Sequence, residues 1–185
     1  AYEDAAVCTG IVTDKVAGSD MLVVRHAELC VPGVAGCEAD TTGKLYIQSS
    51  LCTTDVIPYV FGPTGTSSFT LTQRNCTTAA EKRKFISHIY YVRNFAVTAG
   101  DGVPTLVRSE FDLVSGTLSH QPPLALIEGI DAMRVEIGVD DVSRTGDPVD
   151  YTDAVEWDDP DERTAAVNRG DGIPDGAFVR CTTLA

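Results

Sequence analysis

Between residues 84 and 108 the side chains alternate in a pattern that only an extended chain can use. Ile86, His88, Tyr90 and Val92 alternate with Ser87, Ile89, Tyr91 and Arg93, and their β-branched and aromatic content favours a strand with a buried face. The run breaks at Ala99-Gly100-Asp101-Gly102, where glycine accepts positive φ without steric cost. Val103-Pro104-Thr105-Leu106-Val107-Arg108 then resumes the extended pattern, which predicts a hairpin with Pro104 near one end. Residues 132–139 repeat the alternation, with Met133, Val135, Ile137 and Val139 opposite Arg134, Glu136 and Gly138. Three consecutive strands predict an antiparallel sheet.

Elsewhere the signals are shorter. Met21-Leu22-Val23-Val24-Arg25, bounded by Gly18-Ser19-Asp20, predicts a strand covered on both faces. Leu45-Tyr46-Ile47-Gln48 and the run from Asp55 through Phe61 are two more strand candidates, the second demoted by Pro58 to an edge or a broken strand. Residues 62–84 turn to Gly, Pro, Ser and Thr around Phe69-Thr70-Leu71-Thr72 and read as loop and hairpin. Residues 111–123 read as a connector with a turn at Val114-Ser115-Gly116-Thr117. Residues 124–130 are apolar enough to be buried, as a helical turn or a strand. Residues 1–17 are a lead-in without a firm element. Residues 141–176 form a region rich in acidic residues, with Pro148 and Pro160 opposing long elements. Such a composition predicts a solvated loop unless a cation gathers the carboxylates.

A length of 185 residues fits one domain with a real core. The net charge of −13 excludes the basic stripe that nucleic-acid binding needs and disfavours an anionic membrane surface. No apolar run reaches the roughly 18 residues of a membrane span. Six cysteines, Cys8, Cys30, Cys37, Cys52, Cys76 and Cys181, occur without a CxxC or a Cys/His cluster. That pattern predicts disulfides in an oxidising compartment rather than zinc. Fifteen full pairings are open. Short loop closure makes Cys30 with Cys37 the easiest, and Cys52 with Cys76 would staple the Thr/Ser-rich excursion between them. Cys8 and Cys181 are left for each other or for residues outside the chain.

The chain carries no GxSxG, GxxxxGK[ST], HExxH or GxGxxG. His26, His88 and His120 lie far apart in sequence and read as partly exposed strand or loop histidines rather than bases with partners. A hydrolase using acidic residues would need two carboxylates on rigid elements across a cleft. Two loops raise calcium as an alternative to a purely solvated role. In the first, Asp141, Ser143, Thr145 and Asp147 fall at alternate positions around Gly146, with Asp150 and Asp153 as irregular substitutes for the closing bidentate residue. In the second, Asn168, Asp171 and Asp175 surround a GDGIPDG run. Arg169-Gly170-Asp171 also spells a tripeptide associated with cell adhesion. No cofactor is otherwise implied; a secreted calcium-dependent binding module is a competing class.

The order KFISHIYYVRN, then GVPTLVRSEF, then PPLALIEGIDAMRVEIGVD, followed by a polar loop and Tyr151-Thr152-Asp153-Ala154 with Trp157, resembles the C-terminal half of PilW-type minor pilins of type IV pili. The resemblance covers roughly residues 18–160. The J-type minor pseudopilin of type II secretion is similar in the same way. The resemblance implies an α+β, mostly β, pilin-like head with an antiparallel sheet, and a hydrophobic N-terminal helix ahead of Ala1. It implies assembly rather than catalysis: contacts with other minor pilins, the major pilin and a tip adhesin, first at the periplasmic face of the inner membrane and then at the extracellular pilus tip. Membrane contact would come through the N-terminal helix alone. Exposed sheet edges and the loops flanking residues 132–139 are the expected partner surfaces, with Arg134, Tyr151 and Trp157 as anchors of the type interfaces favour and strand addition as a second route.

Overall fold

The computed structural model describes residues 10–154 and 164–180. The described residues divide into two compact units, 10–133 and 134–154 with 164–180. Among the described residues every element is a strand, so the fold is mostly antiparallel β, as the alternation predicts.

In the first unit the strands are β1 (Met21–Ala27), β2 (Leu45–Ser49), β3 (Tyr59–Pro63), β4 (Arg83–Arg93), β5 (Thr105–Val114), β6 (Thr117–His120) and β7 (Leu124–Glu128). The path through the sheet is β3-β2-β4-β5-β6, with β1 added on β4 and β7 on β5. The eleven-residue β4 organises it. It pairs with β1 from Phe85 to Tyr91, with β5 from His88 to Arg93, and with β2 at Arg83 and Lys84.

Register decides what is buried. Tyr91 lies opposite Met21 on one side and Val107 on the other, and Ile89 lies opposite Val23 and Ser109. Because successive side chains point to opposite faces, Ile89, Tyr91 and Val107 form one buried cluster, with Ile11, Val12, Met21 and Val23 packed against it. The other face carries Lys84, Ile86, His88 and Tyr90 of β4 beside Arg108, Glu110 and Asp112 of β5.

The predicted hairpin between β4 and β5 forms at the predicted place. Gly100 and Gly102 both adopt positive φ. Asp101 organises the loop, its carboxylate accepting the amides of Ala96, Val97, Thr98 and Val103. β3 begins just after Pro58 rather than at Asp55, since a strand interior has no use for a residue without N–H. Its ribbon with β2 is fastened to the 64–80 excursion by the buried Gln48, whose amide donates to the Ala80 carbonyl at 2.7 Å and accepts the Leu71 N–H at 3.0 Å. Both expected disulfides form, Cys30–Cys37 and Cys52–Cys76.

Four expectations are corrected. Residues 132–139 are not a strand: among the described residues the segment's only ladder contact is the isolated bridge Ile137↔Val179. Residues 111–123 are more than a connector. β5 continues to Val114, Ser115 and Gly116 make a turn with φ of 51° and 79°, and β6 completes a hairpin. The apolar run at 124–128 is strand β7, yet all five of its residues are exposed. β1 is half-buried or exposed along its length rather than covered on both faces: Met21 and Val23 pack on the core cluster, while Leu22 on the opposite face is exposed.

In the second unit the described residues are held by short backbone bridges, Ile137↔Val179, Val142↔Pro148 and Ser143↔Gly170. No helix among the described residues is long and apolar enough to cross a membrane.

Candidate functional site

The surface with the most unspent chemistry is β7 and the sheet face that runs into it. After β6 the Gln121 amide donates to the Glu110 carbonyl at 2.8 Å. Pro122 and Pro123 then end that ladder, because neither can donate. The chain re-pairs with β5 as β7, with an irregularity between Leu106 and Val107. Leu124 falls opposite Arg108, and Ile127 opposite Leu106. These two side chains therefore share the face of His88, Tyr90 and Glu110. Leu124 is 58% exposed and Ile127 54%. Edge strands are normally blunted by lysine, an inward charge or a covering loop. Here Glu128 and the register irregularity are the only such features in the strand.

The polar part of that face is a graded chain of charges. Tyr90 Oη lies 3.4 Å from His88 Nδ1. His88 Nε2 and the Arg108 guanidinium each approach Glu110 at 3.9 Å. Arg108 Nε is buried with no hydrogen-bond partner among the described residues. Burial holds His88 below its ordinary value; the Arg108 charge acts in the same direction and Glu110 opposes it. Further along, Lys84 Nζ lies 3.0 Å from Glu38 and 3.4 Å from Asp112, and Lys44 reaches the same two carboxylates. Burial works against the charge of Lys84, but Glu38 and Asp112 outweigh it and raise its pKa. Hydrogen bonding to Lys44 is the largest influence on Glu38 and lowers its pKa. The network pins the loop closed by Cys30–Cys37 to the sheet, since Glu38 directly follows that cystine.

Among the described residues the histidines lie on strands and gather no catalytic constellation. Ser109 Oγ is 3.3 Å from His120 Nδ1. That serine is fully buried and its hydroxyl donates to the Gln121 carbonyl at 2.7 Å, so its proton is directed away from the ring. Burial lowers the pKa of His120, with Arg25 and His88 adding to it.

In the second unit the two candidate calcium loops meet, held by their own backbone. Asp175 Oδ2 accepts the amides of Asp141 at 2.9 Å and Val142 at 2.8 Å. Ser143 is buried, 2.7 Å from Thr145 Oγ1, and Thr145 in turn lies 3.5 Å from Asp147 Oδ2. Asp150 accepts the amide and hydroxyl of Thr152. Asn168 is buried and donates to the Ala154 carbonyl. Asp171 accepts the Ile173 amide. Among the described residues no group of three or more His, Cys, Asp or Glu side chains is placed to hold a metal ion. The tripeptide Arg169-Gly170-Asp171 is half-buried in this junction, with Gly170 bridged to Ser143, and is not presented at a loop tip.

Of the expected partner anchors, Arg134 and Tyr151 are exposed. Trp157, Cys8 and Cys181 lie outside the described residues. Sequence reasoning missed Leu124, Leu126 and Ile127 as a surface because it took apolar composition for burial. The usable signal was Pro122-Pro123, which separates the segment from the preceding ladder. Comparison with protein-family models, with curated proteins and with solved structures finds no match to this chain.

Proposed function

We propose that this chain is the extracytoplasmic head of a PilW-type minor pilin, which helps to prime and cap a type IV pilus through contacts with neighbouring subunits. The observation that carries the reading is the way one sheet face is closed. Ile89, Tyr91 and Val107 are covered by Ile11 and Val12, from the stretch that in such a subunit directly follows the N-terminal helix. That helix would continue the same cover, and filament neighbours would bury apolar groups that the head leaves in water, Leu124, Leu126 and Ile127 among them. Two disulfides suit the oxidising compartment in which pilin heads fold. The β7 edge then offers neighbours both a backbone ladder and an apolar row.

Deleting the gene in the cell that encodes it tests the reading. Surface pili in sheared fractions and twitching motility should fall sharply, with the major pilin retained in the membrane. The wild-type gene should restore both, and a Leu124→Lys, Ile127→Lys version should restore neither while the protein accumulates normally. Full piliation in the deletion strain overturns the proposal. Intact pili with lost secretion of type II substrates would instead assign the chain to a pseudopilus.

A further inference from the structure

The β2–β3 ribbon carries a second exposed surface, independent of the fibre reading above. Register fixes its two faces: Tyr46, Gln48 and Gly62 are buried against the 64–80 excursion, whereas Ile47, Tyr59 and Phe61 point the other way. Phe61 packs edge-on against Phe85, with ring centroids 4.9 Å apart, so the ring is already ordered. It remains 46% exposed and Tyr59 60%. β3 is also the end of the sheet path. The Ser50 amide bonds to Pro58 O, and the Thr64 amide to Lys44 O. These bonds mark the even-numbered residues of β3 as those facing β2. In an antiparallel ladder the intervening residues then direct N–H and C=O outward, so Tyr59 and Phe61 present two donors and two acceptors without a partner among the described residues. Pro63, without N–H and with its carbonyl taken by Ser67, ends the window on one side, and the bend at residues 56–58 ends it on the other.

Charge identifies the occupant. The chain carries −13 overall, but residues 41–80 contain Lys44, Arg74 and a single carboxylate, Asp55. Asp55 is satisfied internally by Ser50 and Thr72. The flanking acids are also matched, Asp40 by Lys82 and Glu81 by Arg83. Two copies of so acidic a chain repel over most of their surface and do so least here.

We propose that β3 pairs with β3 of a second copy, antiparallel about a two-fold axis beside Val60. Tyr59 of each copy then stands opposite Phe61 of the other, which makes four backbone hydrogen bonds and two cross-strand aromatic pairs.

Sedimentation and light scattering of the disulfide-intact head, from low micromolar to millimolar, test this. A reversible dimer is expected, strengthened by added salt because screening removes the repulsion. Lysine at an edge strand opposes pairing, so Tyr59→Lys with Phe61→Lys should weaken the dimer by about tenfold or more with far-ultraviolet circular dichroism unchanged. Should that variant misfold, amide exchange on the wild type decides. Tyr59 and Phe61 amides should gain protection with concentration, while those of Val60 and Gly62, already bonded to β2, should not. A monomer throughout the range, a dimer indifferent to the lysines, or exchange at Tyr59 and Phe61 that ignores concentration overturns the proposal. None of these outcomes bears on the gene-deletion result.

Discussion

Asp140 and Asp175 hold each other's loops. The Asp140 carboxylate accepts the amides of Asp171 at 3.1 Å and Gly172 at 2.8 Å, while Asp175 Oδ2 accepts those of Asp141 and Val142. Each acid thus caps the backbone beside the other, across 31 to 34 residues of chain. A carboxylate bonded to two N–H groups is a strong, directional clasp. Gly170 is what admits it, since a Cβ there would lie 2.1 Å from the Asp140 carboxyl carbon.

Breaking either half should therefore loosen the same junction. Asp140→Ala or Asp175→Ala is expected to destabilise the second unit by about 1–3 kcal/mol, the range for losing hydrogen bonds to a charged group. Amide exchange should report which half is lost: faster at Asp171 and Gly172 for the first variant, and at Asp141 and Val142 for the second. Gly170→Ala should reproduce the Asp140 pattern. Unchanged exchange in all three would mean that the clasp is not what joins the loops.

The same geometry bears on calcium. Asp175, Asp150, Asp171 and Asn168 all have hydrogen-bond partners within the chain, which makes the two loops self-sufficient. Neither chelator nor millimolar calcium is expected to move the melting temperature. A rise of several degrees on adding calcium, abolished by Asp141→Ala or Asp171→Ala, would show that a cation competes successfully for those oxygens.

These contacts also show where sequence reasoning stops. The β4–β5 hairpin was legible because its partners are adjacent in sequence and its turn carries two glycines. The alternation of Met133, Val135, Ile137 and Val139 was just as regular, but alternation reports an extended chain and cannot supply a ladder partner. Among the described residues the only bridge there is to Val179, about 40 residues on. β6 escaped notice because Thr117, Ser119 and His120 have no apolar period, although the Ser115-Gly116 turn was visible. The Asp140 and Asp175 clasp left no local trace beyond acids and glycines, and a calcium loop would leave the same one.

Asp101 gives the first unit a pH dependence of definite sign. Amides of Val103 and Val97 are the largest influences, and those of Thr98 and Ala96 add to them. Together they lower its pKa from 3.8 to about 2. Because the folded value lies below the unfolded one, its contribution is complete above about pH 4 and is lost as pH falls through 2. Melting temperature should drop over that interval in the wild type. Asp101→Asn should be less stable at pH 6 and should lose less on acidification. Parallel curves for the two proteins would remove Asp101 as the source.

On the charged face, two substitutions should differ in a way that packing alone does not predict. Lys84→Met keeps the methylene stem and leaves Glu38 and Asp112 with Lys44, so about 1 kcal/mol or less is expected. Asp112→Ala leaves Lys44 and Lys84, both largely buried, with Glu38 between them and Glu110 at 3.8 Å from Lys84. Losing the carboxylate that both lysines share should cost about 2–3 kcal/mol in a urea titration. The reverse order would mean that these side chains order the face through their stems rather than through charge.

The two cystines should contribute unequally, and loop length says by how much. Cys30–Cys37 spans 7 residues of sequence separation and Cys52–Cys76 spans 24. The entropy removed from the unfolded chain grows as the logarithm of loop size, so replacing the second pair by serine should cost about 1 kcal/mol more than replacing the first. Two native features widen the gap. Cys52 is buried, and its bridge fixes the excursion that covers Gln48, so the released loop would also strain the hydrogen bonds to Leu71 and Ala80. The Cys30–Cys37 loop has the separate hold of Glu38 on Lys44 and Lys84, which persists in the serine variant. Urea midpoints of the two double variants, with unchanged slopes, give the comparison. Equal midpoints would mean that the unfolded chain already keeps the 52–76 excursion closed.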